Sequence, residues 1–336
     1  MRNGAFPCSI AEPRLAIPIM TSILLVKTSS LGDVVHNLPA ASDLYRARPD
    51  AAIDWVVEES FAAIPRAHAA VRRVLPVAIR RWRRTPWRGA IWREVGAFVG
   101  SLRAERYDAV IDTQGLLKSA LIARAAHGVR YGLDWKSARE PLAVFYDHAL
   151  SVPRGQHAVT RNRTLAARAL DYTVAGEVAY GIRAPALELA WLASERYVVM
   201  IHATSARAKL WPEARWLEVG RHFAKLGVSC VLPWGSATER ERSVRLAAAL
   251  AGSVVPPRLT LEALMALLAR AEAVIGVDTG LTHLAAAVGA ATIGVFCATD
   301  PALTGVFGSP RAANLGGVGS VPTAGDVLHA LNRLMS

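Results

Sequence analysis

Val274-Ile275-Gly276-Val277-Asp278-Thr279-Gly280-Leu281-Thr282-His283-Leu284-Ala285-Ala286-Ala287-Val288-Gly289 is the stretch whose reading sets the fold. Val274, Ile275 and Val277 are apolar and β-branched, the composition of a buried strand. Asp278 and Thr279 then stand where a helix is capped, and Leu281, Leu284, Ala285 and Val288 follow at helical spacing. A strand that ends in Asp-Thr-Gly and opens a helix presents unpaired N–H groups at the positive end of the helix dipole. Such a turn suits a phosphate or diphosphate. Gly280 lets whatever lies above the turn come close to the backbone. The same residues also fit an ordinary strand-to-helix turn, so the rest of the chain must decide.

Outward from this turn, the chain alternates strand and helix twice over. In the first half, Ile23–Val26, Ala52–Val57, Val71–Val77 and Tyr107–Asp112 read as strands. Val34–Tyr45, Leu116–Ala126 and His157–Tyr172 read as helices, the last with Arg161, Arg163 and Arg168 on one side. Arg130–Trp135 and Ala138–Pro141 read as ordered loop and short helix. Periodicity is lost over Thr173–Ser194, where a linker is expected. The second half restarts with strands at Tyr197–Ile201, Val228–Leu232 and Ala291–Phe296. Its helices are expected at Glu213–Leu226, Glu239–Leu250, Thr260–Ala271 and Thr323–Met335. Two such halves predict an α/β protein with two doubly wound sheets facing across a cleft. The expected units are 21–180, 181–318 and a closing helix over 319–336. Residues 1–20 are expected to be an extension outside the fold, with Met20 the preferred start.

Composition narrows the function. The chain has 336 residues, 52% of them hydrophobic, which is enough for large cores. Its formal net charge of +12 calls for an acidic partner. Three widely spaced cysteines, Cys8, Cys230 and Cys297, form neither a disulfide framework nor a zinc pattern and fit a reducing cytosol. The longest apolar run, Leu281–Ala298, contains His283 and two glycines and divides into helix, turn and strand rather than a membrane span. The most unusual composition lies at residues 72–93, where eight arginines are interleaved with Trp82, Trp87 and Trp92. Arginine forks bind phosphates and carboxylates, and tryptophan suits a membrane interface or a sugar face.

The first loop, Lys27-Thr28-Ser29-Ser30-Leu31-Gly32-Asp33, matches neither a dinucleotide fingerprint nor a P-loop. It does set Asp33 at the mouth of a strand–helix turn, where ligands bind in doubly wound sheets. Local chemistry alone also allows Asp33 to be a first-turn helix charge. His202 and His283 have no second ligand at metal spacing, and there is no Asp-x-Asp pair, so no metal is expected.

Five segments in order resemble the lipopolysaccharide heptosyltransferases of type I, within glycosyltransferase family 9. They are Val26–His36, Arg80-Arg81-Trp82-Arg83, Ile111–Leu116, His202-Ala203-Thr204 with Lys209 and Trp211-Pro212, and Val277–His283. The likeness runs from about Ile23 to the closing helix. It implies a GT-B fold and metal-independent, inverting transfer without a cofactor. The implied donor is ADP-L-glycero-β-D-manno-heptose and the implied acceptor is the Kdo of Kdo₂-lipid A, met on the anionic cytoplasmic face of the inner membrane. On this likeness Asp33 is the base and Lys209 steadies the diphosphate. Thr204, Ser205, Lys209, Glu239, Asp278, Thr279, Gly280 and His283 are donor contacts, with Ser205 in place of the usual threonine. Ser30, Gly32, Arg80, Arg81, Arg83, Arg84, Gln114 and Arg139 fall on the acceptor side. Two alternatives stay open: a type II heptosyltransferase, and a non-catalytic protein binding anionic membrane or nucleic acid through the Arg/Trp segment. The second would keep its binding without Asp33 and Lys209.

Overall fold

The computed structural model describes residues 21–336, so expectations about the first twenty residues lie outside the described residues. The N-terminal half forms a six-stranded parallel sheet from β1 (Ser22–Val26), β2 (Ala52–Glu58), β3 (Val71–Val77), β4 (Arg106–Asp112), β5 (His127–Leu133) and β6 (His148–Leu150). Its order is β3-β2-β1-β4-β5-β6. A five-stranded parallel sheet follows from β7 (Tyr197–Ile201), β8 (Ser229–Val231), β9 (Ala273–Val277), β10 (Thr292–Phe296) and β11 (Ala312–Gly316), in the order β11-β10-β9-β7-β8. Helices cover both faces of each sheet, which is why the central strands are continuously apolar. Ile23, Leu24, Leu25 and Val26 have no exposed surface, nor do Val274, Ile275 and Val277.

In each sheet one strand has neighbours that leave in opposite directions. β1 lies between β2 and β4, and β7 between β8 and β9. The crevice beyond the strand ends at such a point is where an open α/β sheet takes its ligand. Here those crevices fall at Lys27–Asp33 beside Thr113–Gly115, and at His202–Ser205 beside Asp278–Gly280.

Most elements match the reading of the sequence, with a few instructive differences. Residues 127–133 form a strand rather than a loop, paired to β4 and β6. Gly128 and Gly132 weaken the apolar alternation there, and both are spots where a Cβ would strike Tyr107 or Tyr146. The Arg/Trp segment runs into a fifteen-residue helix, Gly89–Arg103, that the reading of the sequence did not assign. Arg161, Arg163 and Arg168 do not share one side of their helix. Arg163 is buried in a two-pronged pair with Asp43 at 2.6 Å, tying the Ala158–Leu170 helix to the Leu31–Ala47 helix. Residues 171–196 contain no helix, yet they are anchored. Ala69 and Arg183 exchange backbone hydrogen bonds with Gly181 and Ala67, and Tyr180 donates to the Phe307 carbonyl at 2.7 Å. The closing helix, Ala324–Met335, buries Ala324, Val327 and Leu331 in the core of the second sheet.

Candidate active site

The first crevice is a cavity of about 310 Å³ lined by Lys27, Ser29, Ser30, Asp33, Gln114, Arg139, Arg154 and Arg161, among others. Strand geometry fixes its floor. Lys27 directly follows β1, is only 6% exposed, and its Nζ donates to the Thr113 carbonyl at 2.7 Å. Gln114 follows β4 and accepts from the backbone N–H groups of Thr28 and Ser29 at 3.1 and 3.0 Å, so one side chain holds the β1 loop against its neighbour. The Asp112 carboxylate shapes the Gln114 turn by accepting from the N–H groups of Gln114 and Gly115. Burial pushes the Lys27 ammonium below its ordinary range, with Asp33 and Asp112 opposing and Arg161 and Arg139 adding to the effect. Arg161 is likewise pushed down, first by burial and then by Arg139 and Arg154. Four cations thus share a wall whose sole lining carboxylate among the described residues is Asp33. Such a cavity is made for an anion.

The second crevice, about 370 Å³, is lined by Ser30, Leu31, Gly32, Asp33 and His36 from one domain and by Thr204, Ser205, Lys209, Asp278, Thr279, Gly280 and His283 from the other. Here the cation is matched. Lys209 Nζ lies 2.7 Å from Asp278 Oδ2, which also accepts from Thr299 Oγ1 at 2.6 Å. Burial works against ionisation of Asp278, but hydrogen bonds from His283, Lys209 and Thr299 outweigh it and hold the carboxyl well below the usual range. Asp278 therefore does not cap the Gly280–Ala287 helix. Thr279 occupies the cap position without a side-chain bond. The Thr282 N–H is taken by the Thr279 carbonyl at 3.0 Å, which leaves the Gly280 and Leu281 N–H groups for a ligand, beside a lysine that an incoming anion can draw away from Asp278.

Ser30, Asp33 and Thr304 line both cavities. Asp33 is in the first turn of the Leu31–Ala47 helix, where its Oδ2 accepts from the Ser30 backbone N–H at 2.7 Å and the Ser30 hydroxyl at 3.0 Å. The helix-terminus reading of this residue and the site reading are thus compatible. The domains meet directly beside it. A Cβ on Gly280 would lie 2.6 Å from Leu31 Cβ and 2.7 Å from the Gly32 nitrogen, so only glycine allows this approach. Behind that contact His36 stacks at a tilt on His283, with centroids 4.4 Å apart, and His157 lies 5.3 Å from His36. Burial pushes His157 down to about 4, and its neutral ring accepts from the Val159 N–H while Nε2 donates to the Gly305 carbonyl. His36 is also pushed well down, by burial and then by His283 and His157. Among the described residues no group of three His, Cys, Asp or Glu side chains converges to hold a metal ion.

The model of glycosyltransferase family 9 (heptosyltransferase) matches residues 95–326. Lipopolysaccharide heptosyltransferase 1 of Escherichia coli K12 is 48% identical over 85% of this chain and 91% of its own. The chain belongs to glycosyltransferase family 9. The corresponding protein of Pseudomonas aeruginosa is 50% identical over 85% of this chain and 81% of its own. A solved structure, E. coli heptosyltransferase WaaC with ADP-2-deoxy-2-fluoro heptose, superimposes with a TM-score of 0.82 at 42% identity, covering 93% of this chain and 99% of that one. Two parallel α/β domains across a cleft are the GT-B architecture.

Of the residues expected to serve this glycosyltransferase, Asp33, Thr204, Ser205, Lys209, Asp278, Thr279, Gly280 and His283 come together at the second cavity, and Ser30, Asp33, Gln114 and Arg139 at the first. Gly32 lines the second cavity rather than the first. Glu239 lines neither. Its carboxylate accepts from the N–H groups of Gly235 and Ser236 as the capping box of its own helix. Arg80, Arg81, Arg83 and Arg84 also line neither cavity. Arg81 is held by Glu59 and Glu94, and Arg80 lies over Phe61, which borders the second cavity. Lys27, Arg154, Arg161 and Thr299 were not among the expected site residues, Arg161 having been read only as a charge on its helix. Lys27 carried one available signal, a lysine at the end of an otherwise apolar strand.

Proposed function

We propose that the protein moves L-glycero-D-manno-heptose from ADP-heptose to the Kdo of Kdo₂-lipid A, with inversion at the anomeric carbon, in synthesis of the lipopolysaccharide inner core. The single observation that carries the reading is Asp33 on the border of two anion-suited cavities, one walled by unmatched cations and the other by a helix terminus and a paired lysine. In this reading the ADP-heptose diphosphate lies over the Gly280–Ala287 helix terminus and takes up Lys209. The acidic Kdo sugars lie against Lys27, Arg139, Arg154 and Arg161. Asp33 accepts the proton of the Kdo hydroxyl as its oxygen attacks the anomeric carbon, and ADP leaves from the opposite face. Backbone N–H groups and Lys209 then meet the negative charge that grows on the departing diphosphate. The relatives' names and the donor analogue in the E. coli structure support the choice of sugar and nucleotide.

The same reading puts the protein on the cytoplasmic face of the inner membrane as a peripheral enzyme. An amphiphilic acceptor and the arginine-rich segment support it, and no helix among the described residues is long and apolar enough to cross a membrane. The test is transfer from ADP-heptose to Kdo₂-lipid A, or to its water-soluble delipidated form, by the wild type and by Asp33→Asn. Turnover by the wild type is expected to fall by about 10²–10⁴ in the variant, with ADP binding retained. Turnover only on an acceptor that already carries one heptose would overturn the choice of acceptor.

A further inference from the structure

Large apolar side chains stand in water beside the first cavity. We propose that they, with the neighbouring arginines, dock the N-terminal domain onto the surface of an anionic lipid bilayer. In a parallel sheet each crossover helix begins where its strand ends. The first turns of the Gly89–Arg103 and Leu117–Ala125 helices therefore lie on the sheet edge that carries the cavity. Leu117 and Leu121 are one turn apart on the same helix face and are 49% and 53% exposed. Val144, on the short turn packed against that helix, is 73% exposed, and Trp87 and Trp92 are 77% and 65% exposed. These side chains are not overflow from a core, because Ala120, Leu142 and Tyr146 beneath them are already buried. Leu116, the residue before Leu117, lines the cavity itself.

Cations outnumber carboxylates around this edge, where Glu140 accepts from the Leu117 backbone N–H at 2.7 Å. Glu59 and Glu94 are both spent on Arg81, while Arg83, Arg84, Arg88 and Arg93 have no ion pair among the described residues. The structure also separates the three tryptophans. Trp82 packs edge-on to Phe98 and donates to Glu94, whereas Trp87 and Trp92 project outward. Protruding leucine and valine, exposed tryptophan and unpaired arginine suit the acyl, interfacial and phosphate levels of a membrane surface respectively. A nucleic acid would use the arginines and tryptophans but offers nothing to the aliphatic side chains. The inference rests on the proposed acceptor, since docking by this edge brings the cavity mouth to the level of the lipid headgroups.

The experiment is flotation with phosphatidylcholine vesicles, with and without about one third phosphatidylglycerol, alongside transfer to vesicle-embedded and water-soluble acceptor. The wild type is expected to float with the anionic vesicles only. In Leu117→Ser/Leu121→Ser/Val144→Ser, partition and turnover on the embedded acceptor should fall at least about tenfold, while turnover on the soluble acceptor stays within about twofold. Trp87→Ser, a change in an exposed loop, should lower partition in the same direction and guards against misfolding of the triple variant. Arg88→Gln/Arg93→Gln should weaken partition most at low salt and leave its soluble turnover intact. A wild type that ignores anionic vesicles, or that is retained on duplex DNA instead, overturns the proposal. So does a triple variant that floats like the wild type. Flotation needs no turnover, so failure of the wild type on the soluble acceptor would count against the proposed reaction alone.

Discussion

On the N-terminal side of Asp33, Lys27, Arg139, Arg154 and Arg161 crowd one wall, and burial and mutual repulsion push Lys27 and Arg161 below their ordinary pKa range. On the C-terminal side the prominent cation, Lys209, is already matched by Asp278, and the remaining attraction for an anion comes from a helix terminus. Both are βα turns at the centre of a parallel sheet. The first gathers anions with side-chain charge and should be salt-sensitive. The second offers fixed backbone dipoles and a lysine that must exchange one partner for another, which suits charge that develops during reaction.

Next to the loss expected for Asp33→Asn, the largest effect should come from Lys209→Ala. Turnover should fall about 10²-fold, with a smaller loss of ADP affinity, measured by steady-state kinetics and calorimetry. Equal losses in the two would break the distinction between a resting and a reacting role. Arg139→Gln with Arg161→Gln should raise the acceptor KM by about tenfold or more and leave the donor KM unchanged, with the acceptor effect shrinking as salt is raised. A matching rise in donor KM would show that the two walls do not divide the ligands.

Gly280→Ala tests the contact between the walls. Its Cβ would enter the space of Leu31 and Gly32, so the domains must shift apart, at about 1–3 kcal/mol of stability and with loss of turnover on either acceptor form. An unchanged melting temperature would mean the domains part freely. The smallest effect is acid sensitivity. His68, His157 and His202 are each pushed down to about 4 by burial, against about 6.5 when unfolded. The unfolded chain binds more protons between those values, so stability is complete above the unfolded value and is lost as pH falls toward the folded one. Each histidine should contribute roughly 1 kcal/mol of loss near pH 5.5. His68 lies in the first domain, His202 in the second and His157 at the junction, so His157→Gln should flatten the pH dependence of the melting temperature only in part.

Much of this architecture is legible along the chain. The β/α alternation follows from local periodicity, and the loops at Asp33 and Asp278 are recognisable because strand end, glycine and carboxylate are adjacent in sequence. Residues 127–133 were not legible, since two glycines required by Tyr107 and Tyr146 interrupt the strand pattern. The helix over Gly89–Arg103 was hidden because it opens inside the arginine-rich segment, with Trp92 and Arg93 in its first turns, and carries glycines at 89, 96 and 100. Arg161 and Arg163 illustrate the same limit. They are two residues apart, yet one lines the cavity and the other is buried against Asp43.

Sequence alone determined the fold class, the family and the two turns that carry Asp33 and Asp278: each turn depends on residues close together in the chain, and the fold class and family follow from the order of such local segments along it. Tertiary structure alone decided that Lys27, Arg154 and Arg161 join Arg139, that Asp278 pairs with Lys209 instead of capping its helix, and that Gly32 meets Gly280. Those contacts depend on which strands lie side by side and how closely the two sheets approach, and that is set by packing across the whole molecule.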